Sequence, residues 1–423
     1  MTLVAAAPSR KESLAGARVL VSLMAVLSTL SYFDRSIMSI AGPSIMKEFR
    51  ISETAMGTVY SAFLLSYMLF MLPGGEMADR FGARRMLTFS GLGAAFFTGL
   101  TAWCGTPGLG LLLGVVPSFL VVRFAFGVCT APLYPSCARI NADRIPPTDR
   151  GWVQALVLTG AAVGSAISPV VFSRLMAAYG WRLSFCLAAG VTALLSAAWF
   201  FYSRDQPAGE FTRRSRTPGF RHLAALATDR NLLMVTVGYF LLNYFEYIFY
   251  YWMYYYFGEI RHLGSAQSAV ATTVMFLAMA VAMPLGGRIS DRLIPSYGLK
   301  FARRSVPMVG MAVSAVLLYL GAGGFGDVAT VALISLALGF STCAEGPFWA
   351  TAIDLSRTNA GAASGFLNAG GNLGGMLAPV VTPWIASRFG WSGGLSFASA
   401  LVLLGVLTWL FVDPERKILP ATA

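Results

Sequence analysis

The sequence predicts an all-α membrane protein of twelve transmembrane helices in two pseudo-symmetric six-helix bundles. Three observations carry that prediction. The first is composition. Of 423 residues, 56% are hydrophobic and only 12% are charged, where soluble domains carry about 25% charged residues. The second is a series of twelve apolar runs, each near the ~20 residues that a helix needs to cross a bilayer. They lie at 19–42, 55–77, 85–104, 112–141, 151–174, 183–203, 232–257, 267–287, 305–323, 329–353, 361–385 and 392–412. The third is an internal repeat at half the chain length. Gly74, Gly75, Asp79, Arg80, Arg84 and Arg85 return as Gly286, Gly287, Asp291, Arg292, Arg303 and Arg304; Pro169 and Gly180-Trp181 return as Pro379 and Gly390-Trp391. Parallel repeats of six spans, with a site between them near the midplane, suit alternating access.

In chain order, the first run matters most. It carries Ser28, Tyr32, Arg35 and Ser39 at intervals of 4, 3 and 4, with Asp34 beside them. That spacing makes one polar stripe on a helix. A charge in mid-membrane costs about 2.5–3.5 kcal/mol on insertion scales, so such residues usually face a cavity and carry function. The plainer alternative is an interhelical ion pair. The fourth run repeats the spacing with Arg123, Gly127, Thr130 and Tyr134. Gly127 lets a neighbouring helix approach, and the glycines at 160–164 and 370–375 read the same way. No Gly-Lys-Ser/Thr follows them, so they are not phosphate loops. The polar segment after the sixth run divides the chain into a first half, 1–203, a linker, 204–231, and a second half, 232–423. The seventh run is aromatic. Tyr254–Phe257 at its outer end read as an interfacial belt, while Glu246 lies deeper and either lines the cavity or pairs structurally.

The net charge of +12 would suggest nucleic acid in a soluble protein. Here the basic residues cluster at span ends. With the N-terminus inside, 22 of the 31 Lys and Arg fall on inner segments and six on outer ones. This bias predicts both termini in the cytoplasm, a multi-pass location in the inner membrane, and no nucleic-acid partner. The five cysteines show no metal-like spacing and read as small packing residues. The two histidines, His222 and His262, fall in loops, so no histidine relay crosses the membrane. Arg10, Lys11 and Arg18 precede a run too long for a signal peptide.

The passage Gly75-x-x-x-Asp79-Arg80-x-Gly82-x-Arg84-Arg85 resembles the signature loop of the major facilitator superfamily, and the likeness covers essentially the whole chain. Within it, Tyr32-Phe-Asp34-Arg35, Ser61-Ala-Phe-Leu-Leu-Ser66-Tyr67, Arg123-Phe-x-x-Gly127, Ala131-Pro132-Leu-Tyr134-Pro135 and Asn368-x-x-Gly-Asn372 resemble the anion:cation symporter family, bacterial sugar-acid permeases in particular. The resemblance implies that Asp34 takes up the coupling proton. It also implies that Tyr32, Arg35, Tyr67, Trp349 and Asn368 contact substrate, and that Arg123 interacts with the titrating acid. Asp79 and Arg80, with Asp291 and Arg292, would form conformational latches at the cytoplasmic helix ends. Two positions depart from the family pattern. Thr130 stands where members often carry Glu, and Ala161 where they carry Gln. Aligning the halves at an offset of 215 sets Thr130-Ala-Pro against Glu345-Gly-Pro, which makes Glu345 a candidate for the missing acid.

These residues suit transport of an anion. Guanidinium groups stay charged and match carboxylates in bidentate fashion. Asp34 is expected to pair with Arg123 when ionised and to release it when protonated. The expectation is proton-coupled uptake of a small organic anion by a monomer, with no cofactor and no metal. A sugar-phosphate antiporter would place a basic residue in each half, and the seventh run offers Glu246 instead. An anionic metabolite exporter of the same fold is a further alternative. No catalytic constellation marks an enzyme.

Overall fold

A computed structural model of the chain describes residues 10–145, 150–203, 228–355 and 360–416. Most of the expected linker, 204–227, lies outside the described residues. The elements are α1 Arg10–Phe49, α2 Glu53–Phe81, α3 Ala83–Thr101, α4 Leu109–Leu113, α5 Val115–Thr130, α6 Leu133–Arg144, α7 Arg150–Tyr202, α8 Arg230–Tyr251, α9 Met253–Tyr255 with a π-helical turn at Tyr256–Ile260, α10 Gly264–Gly321, α11 Asp327–Thr342, α12 Glu345–Leu355 and α13 Ala360–Thr408. Among the described residues there is no strand. By length and composition, seven of the described stretches can cross a membrane.

Three helices are too long for one crossing. At 1.5 Å per residue, about 50 residues would reach roughly 75 Å, more than twice the hydrocarbon core. Each holds one glycine in left-handed backbone: Gly180 in α7 (φ 74°), Gly298 in α10 (φ 80°) and Gly390 in α13 (φ 72°). Only glycine adopts that region without steric penalty. Each long stretch is therefore two helices joined at a tight turn.

The repeat is visible contact by contact. Gly164 lies so close to α1 that an added Cβ would sit 2.1 Å from the Thr29 carbonyl, and Gly374 stands in the same relation to Phe240 of α8, also at 2.1 Å. Gly160 and Gly370 repeat the approach against Ala25 and Thr236. These contacts fix the register of α8 on α1 at 211 residues. Arg84 donates to the Phe200 carbonyl at 2.6 Å, and Arg304 donates to the carbonyls of Trp409 and Leu410. α5 and α11 are both 16 residues long. Their last threonines, Thr130 and Thr342, turn back on the Phe126 and Leu338 carbonyls at 2.9 and 3.0 Å. This sets the offset there at 212. The alignment at 215 is therefore one helical turn out. Glu345, the first residue of α12, corresponds to Leu133, the first of α6, and not to Thr130.

Helices α1, α3 and α7 pack on one another, as do α2 and α5; in the second half α8 packs on α13 and α10 on α11. Contacts between the halves run through α2 on α13 and α7 on α10. They gather toward one end, the end of the turns at Arg50, Gly180 and Gly390. There Ser61 donates to the Met376 carbonyl at 2.6 Å, Thr273 to the Ala166 carbonyl at 2.9 Å, and Tyr255 to Glu53 at 2.5 Å. The expected aromatic belt is not a lipid-facing one. Tyr254, Tyr256 and Phe257 are buried, and Tyr255 and Tyr256 pack against Trp391. Tertiary packing has turned this end of the seventh run inward.

Candidate functional site

Arg35 stands at the centre of the molecule and is 5% exposed. Its guanidinium carbon lies 5.2 Å from the Tyr32 ring centre, 5.1 Å from Phe63, 5.1 Å from Tyr247 and 5.6 Å from Tyr250. Its Nε donates to the Tyr251 hydroxyl at 3.4 Å. The ring set comes from both halves, α1 and α2 on one side and α8 on the other. Rings offer a cation their negative faces, worth about 2 kcal/mol when desolvated. They do not neutralise it. Among the described residues no carboxylate forms an ion pair with Arg35. A buried cation held by π faces has the chemistry to accept an anion, in bidentate fashion for a carboxylate.

Arg123 lies behind this cage. It is 1% exposed, and its guanidinium carbon lies 5.6 Å from the same Phe63 ring centre that Arg35 approaches. Its Nη2 donates to the Arg35 carbonyl at 3.4 Å, while Nε and Nη1 have no partner. Gly127 makes this seat possible, since an added Cβ would meet Ser66 and the Phe63 carbonyl. Asp34 points away from the stripe and accepts from Thr192 of α7 at 2.9 Å; its second oxygen has no partner. The expected Asp34–Arg123 ion pair is not formed in this conformation. A displacement of about 100° around α1 turns Asp34 toward α7, whereas Arg123 approaches from α5.

Tyr67 lies one turn from Phe63, ring centres 5.6 Å apart, at the edge of the cage. Ser28 meets the Tyr134 hydroxyl at 2.9 Å, and Tyr134 packs edge-on against Tyr32 at 6.2 Å. Trp349 and Glu345 belong to a second cluster. The Trp349 indole donates to the Tyr239 hydroxyl at 3.0 Å, and that hydroxyl donates to Glu345 Oε2 at 2.9 Å. Asn368 donates to the Met71 sulfur at 3.0 Å, joining α13 to α2. Thus Tyr32 and Tyr67 gather near Arg35, whereas Asn368 and Trp349 are held by other partners.

The latch residues behave differently from expectation. The Asp79 side chain lies outside the described residues. Arg80 is exposed over Phe81. Asp291 pairs with Arg303 at 2.7 Å rather than with the exposed Arg292, and Arg303 also holds Asp354 at 3.1 Å. The left-handed turn at Gly298 brings Arg303 back over Asp291, which sequence adjacency does not reveal.

Phe63, Thr192, Tyr239 and Tyr251 were not singled out by the sequence. One signal was available for Tyr239. Tyr239, Asn243, Glu246 and Tyr250 repeat the 4, 3, 4 spacing of Ser28, Tyr32, Arg35 and Ser39 at the 211 offset. Glu246 thus occupies in α8 the place that Arg35 occupies in α1.

The Major Facilitator Superfamily profile matches residues 24–354 and 271–422. The chain belongs to the major facilitator superfamily. It is a multi-pass membrane transporter and not an enzyme. It is similar to the probable sulfoacetate transporter of Cupriavidus necator, with 30% identity over 96% of this chain and 95% of that one. It is 28% identical to the hexuronate transporter of Bacillus subtilis over 91% and 92% of the two chains. The D-galactonate transporter of Escherichia coli is 24% identical over 98% of each. Among solved structures, an inward-facing, occupied bacterial homolog of the human lysosomal transporter Spinster superposes with a TM-score of 0.78 at 14% identity, covering 96% and 97%. A D-xylose–proton symporter gives 0.72 at 18%, covering 96% and 99%. At such identities these two show the fold alone. The sugar-acid transporters among the relatives agree with the resemblance read from the motifs.

Proposed function

We propose that this transporter takes up a small organic anion, a sugar acid or similar carboxylate, together with protons. The observation that carries the reading is Arg35, buried among four rings with no acid to neutralise it among the described residues. The relatives' printed substrates support it: sulfoacetate, hexuronate and galactonate are all small anions.

In this reading α5 with α6, and α11 with α12, are single spans, while α7, α10 and α13 are two each. With α1, α2, α3 and α8, the count is twelve. The six-span halves, 1–203 and 232–423, rock about the central site. The charge bias supports both termini in the cytoplasm of a bacterial cell; the chain is read as a monomer in the plasma membrane. The end joined by Ser61, Thr273 and Tyr255 is then the outer one, and the substrate leaves toward the cytoplasm. Asp34 and Glu345 are the candidate proton carriers, one in each half. Arg303, bridging Asp291 and Asp354, takes the latch role in the second half. An organophosphate antiporter is disfavoured because Glu246 stands where a second cation would.

The test is binding to purified protein in detergent. A ligand at 100 times its Kd stabilises by about 2.7 kcal/mol, which a thermal-shift assay reads. The panel is sulfoacetate, galacturonate, galactonate, galactarate and glucose 6-phosphate. Stabilisation by a carboxylate, lost in Arg35→Ala, is expected. Stabilisation by the phosphate ester alone, or an unchanged response in Arg35→Ala, overturns the reading.

A further inference from the structure

The second half buries two acids that the anion site does not use. Glu246 is 5% exposed, and its carboxyl lies against Glu345 and Ser341. Its Oε1 has no hydrogen-bond partner. Glu345 is half-buried, opens α12, and accepts from the Tyr239 hydroxyl. Tyr239 in turn is fixed by the Trp349 indole. The other groups facing the pair are Tyr250 from α8, Cys343 from the α11–α12 junction and Tyr32 from α1. Among the described residues no cation faces it. Two adjacent carboxyls with no cation beside them resist ionising together; they share a proton, as acid dyads do.

The surroundings decide which acid carries it. Glu345 has a donor in Tyr239 and lies in the first turn of α12, where the helix dipole favours an anion. Glu246 has an oxygen with nothing to receive from. These surroundings favour the proton on Glu246 and the charge on Glu345.

We propose that Glu246 and Glu345 form a second proton-binding site, in the half opposite Asp34, holding one proton that exchanges with the cavity through Glu345. On release the Glu246 O–H bond breaks, the proton passes to a Glu345 oxygen and then to a cavity water, and two hydrated carboxylates remain. On loading the steps reverse. No oxidant or co-reactant enters. This rests on the reading of Glu345 as a proton carrier and extends it to a two-residue site. Through the 211 offset, the pseudo-twofold axis sets the anion-binding Arg35 of α1 against the proton-bearing Glu246 of α8.

Infrared difference spectroscopy on the purified, ligand-free protein tests the site without any substrate. In an Asp34→Asn background at neutral pH, one buried carboxylic-acid C=O band is expected. It should shift at once in deuterium oxide and be lost in Asp34→Asn/Glu246→Gln. Absence of the band, its persistence after Glu246→Gln, or failure to exchange overturns the proposal. Loss of the band when sodium chloride replaces potassium chloride overturns it in favour of a sodium site. The Asp34→Asn protein itself carries the first two readings, so they survive a Glu246→Gln variant that fails to fold. In proteoliposomes, the proton-to-galacturonate ratio from reversal potentials should fall by one in Glu246→Gln. An unchanged ratio makes the shared proton structural and overturns the coupling role. Failure of the wild type to move galacturonate or any other acid of the panel counts against the uptake reading, on which the infrared result does not depend.

Discussion

At the scale of single residues, the site separates charge by chemistry. Arg35 faces π surfaces and has no ion-pair partner among the described residues. Asp34, one residue earlier, faces away and accepts from Thr192. The two neighbours therefore sit in different surroundings. Asp34→Asn is expected to keep exchange of labelled substrate between equal concentrations while lowering accumulation driven by a pH gradient. Paired counterflow and uphill-uptake assays separate the two, and undiminished accumulation would move this coupling step to another group. Much of this was legible from the 4, 3, 4 spacing. The direction in which Asp34 points was not, because a one-residue step around a helix does not say which helix stands there.

At the scale of elements, glycine decides how closely α1 meets α7 and α8 meets α13. Without a hydrophobic driving force between helices in lipid, close backbone packing supplies the association. Gly164→Ala and Gly374→Ala each force a methyl toward a carbonyl oxygen at 2.1 Å, and overpacking of this kind costs about 1–3 kcal/mol. Gly190 has nothing within 4 Å of such a methyl, so Gly190→Ala gains the ~0.5–1 kcal/mol by which alanine exceeds glycine in helices. Thermal unfolding in detergent ranks the three variants, and equal effects would remove the packing argument. The Glu48 end of α1 offers a pH test. Glu48 accepts from the Trp181 indole and from Arg182, both at 2.7 Å. Partial burial pushes its carboxyl up, but the Trp181 and Arg182 donors outweigh this and hold it below the usual carboxylate range. A group whose folded pKa is depressed stabilises above its unfolded pKa, about 4.3 for Glu. That stability is lost as the pH falls through the folded value. Glu48→Gln is therefore expected to lower the melting temperature slightly at pH 7, with the difference vanishing in acid below both values. A difference that grew on acidification would contradict the assignment. The glycine stripes were readable as packing surfaces in the sequence; the partners of Glu48, more than 130 residues away, were not.

At the scale of the molecule, the halves touch through α2 on α13 and α7 on α10, with Ser61, Thr273 and Tyr255 reaching across at one end. Transport by rocking needs these contacts to separate. Ser61→Cys/Met376→Cys, built where a side chain of α2 already meets α13 at 2.6 Å, is expected to cross-link under oxidation in a background free of native cysteines. Cross-linked protein should lose transport and regain it on reduction. Full transport by the cross-linked form would show that this end does not open.

The sequence by itself determined what depends on neighbours along a helix. It set the number and length of apolar runs, the internal repeat, the basic bias, the polar stripe around Arg35 and the membership of a transporter family. These follow from periodicity and composition, which the bilayer enforces residue by residue. Tertiary structure decided what depends on which helices meet. It closed the aromatic cage from both halves, turned Asp34 to Thr192 instead of Arg123, and buried the aromatic end of the seventh span. It also set Arg303 rather than Arg292 on Asp291 and moved the match of Glu345 from Thr130 to Leu133. Each of these depends on an interhelical register, and a shift of one turn leaves the local pattern almost unchanged while replacing every partner.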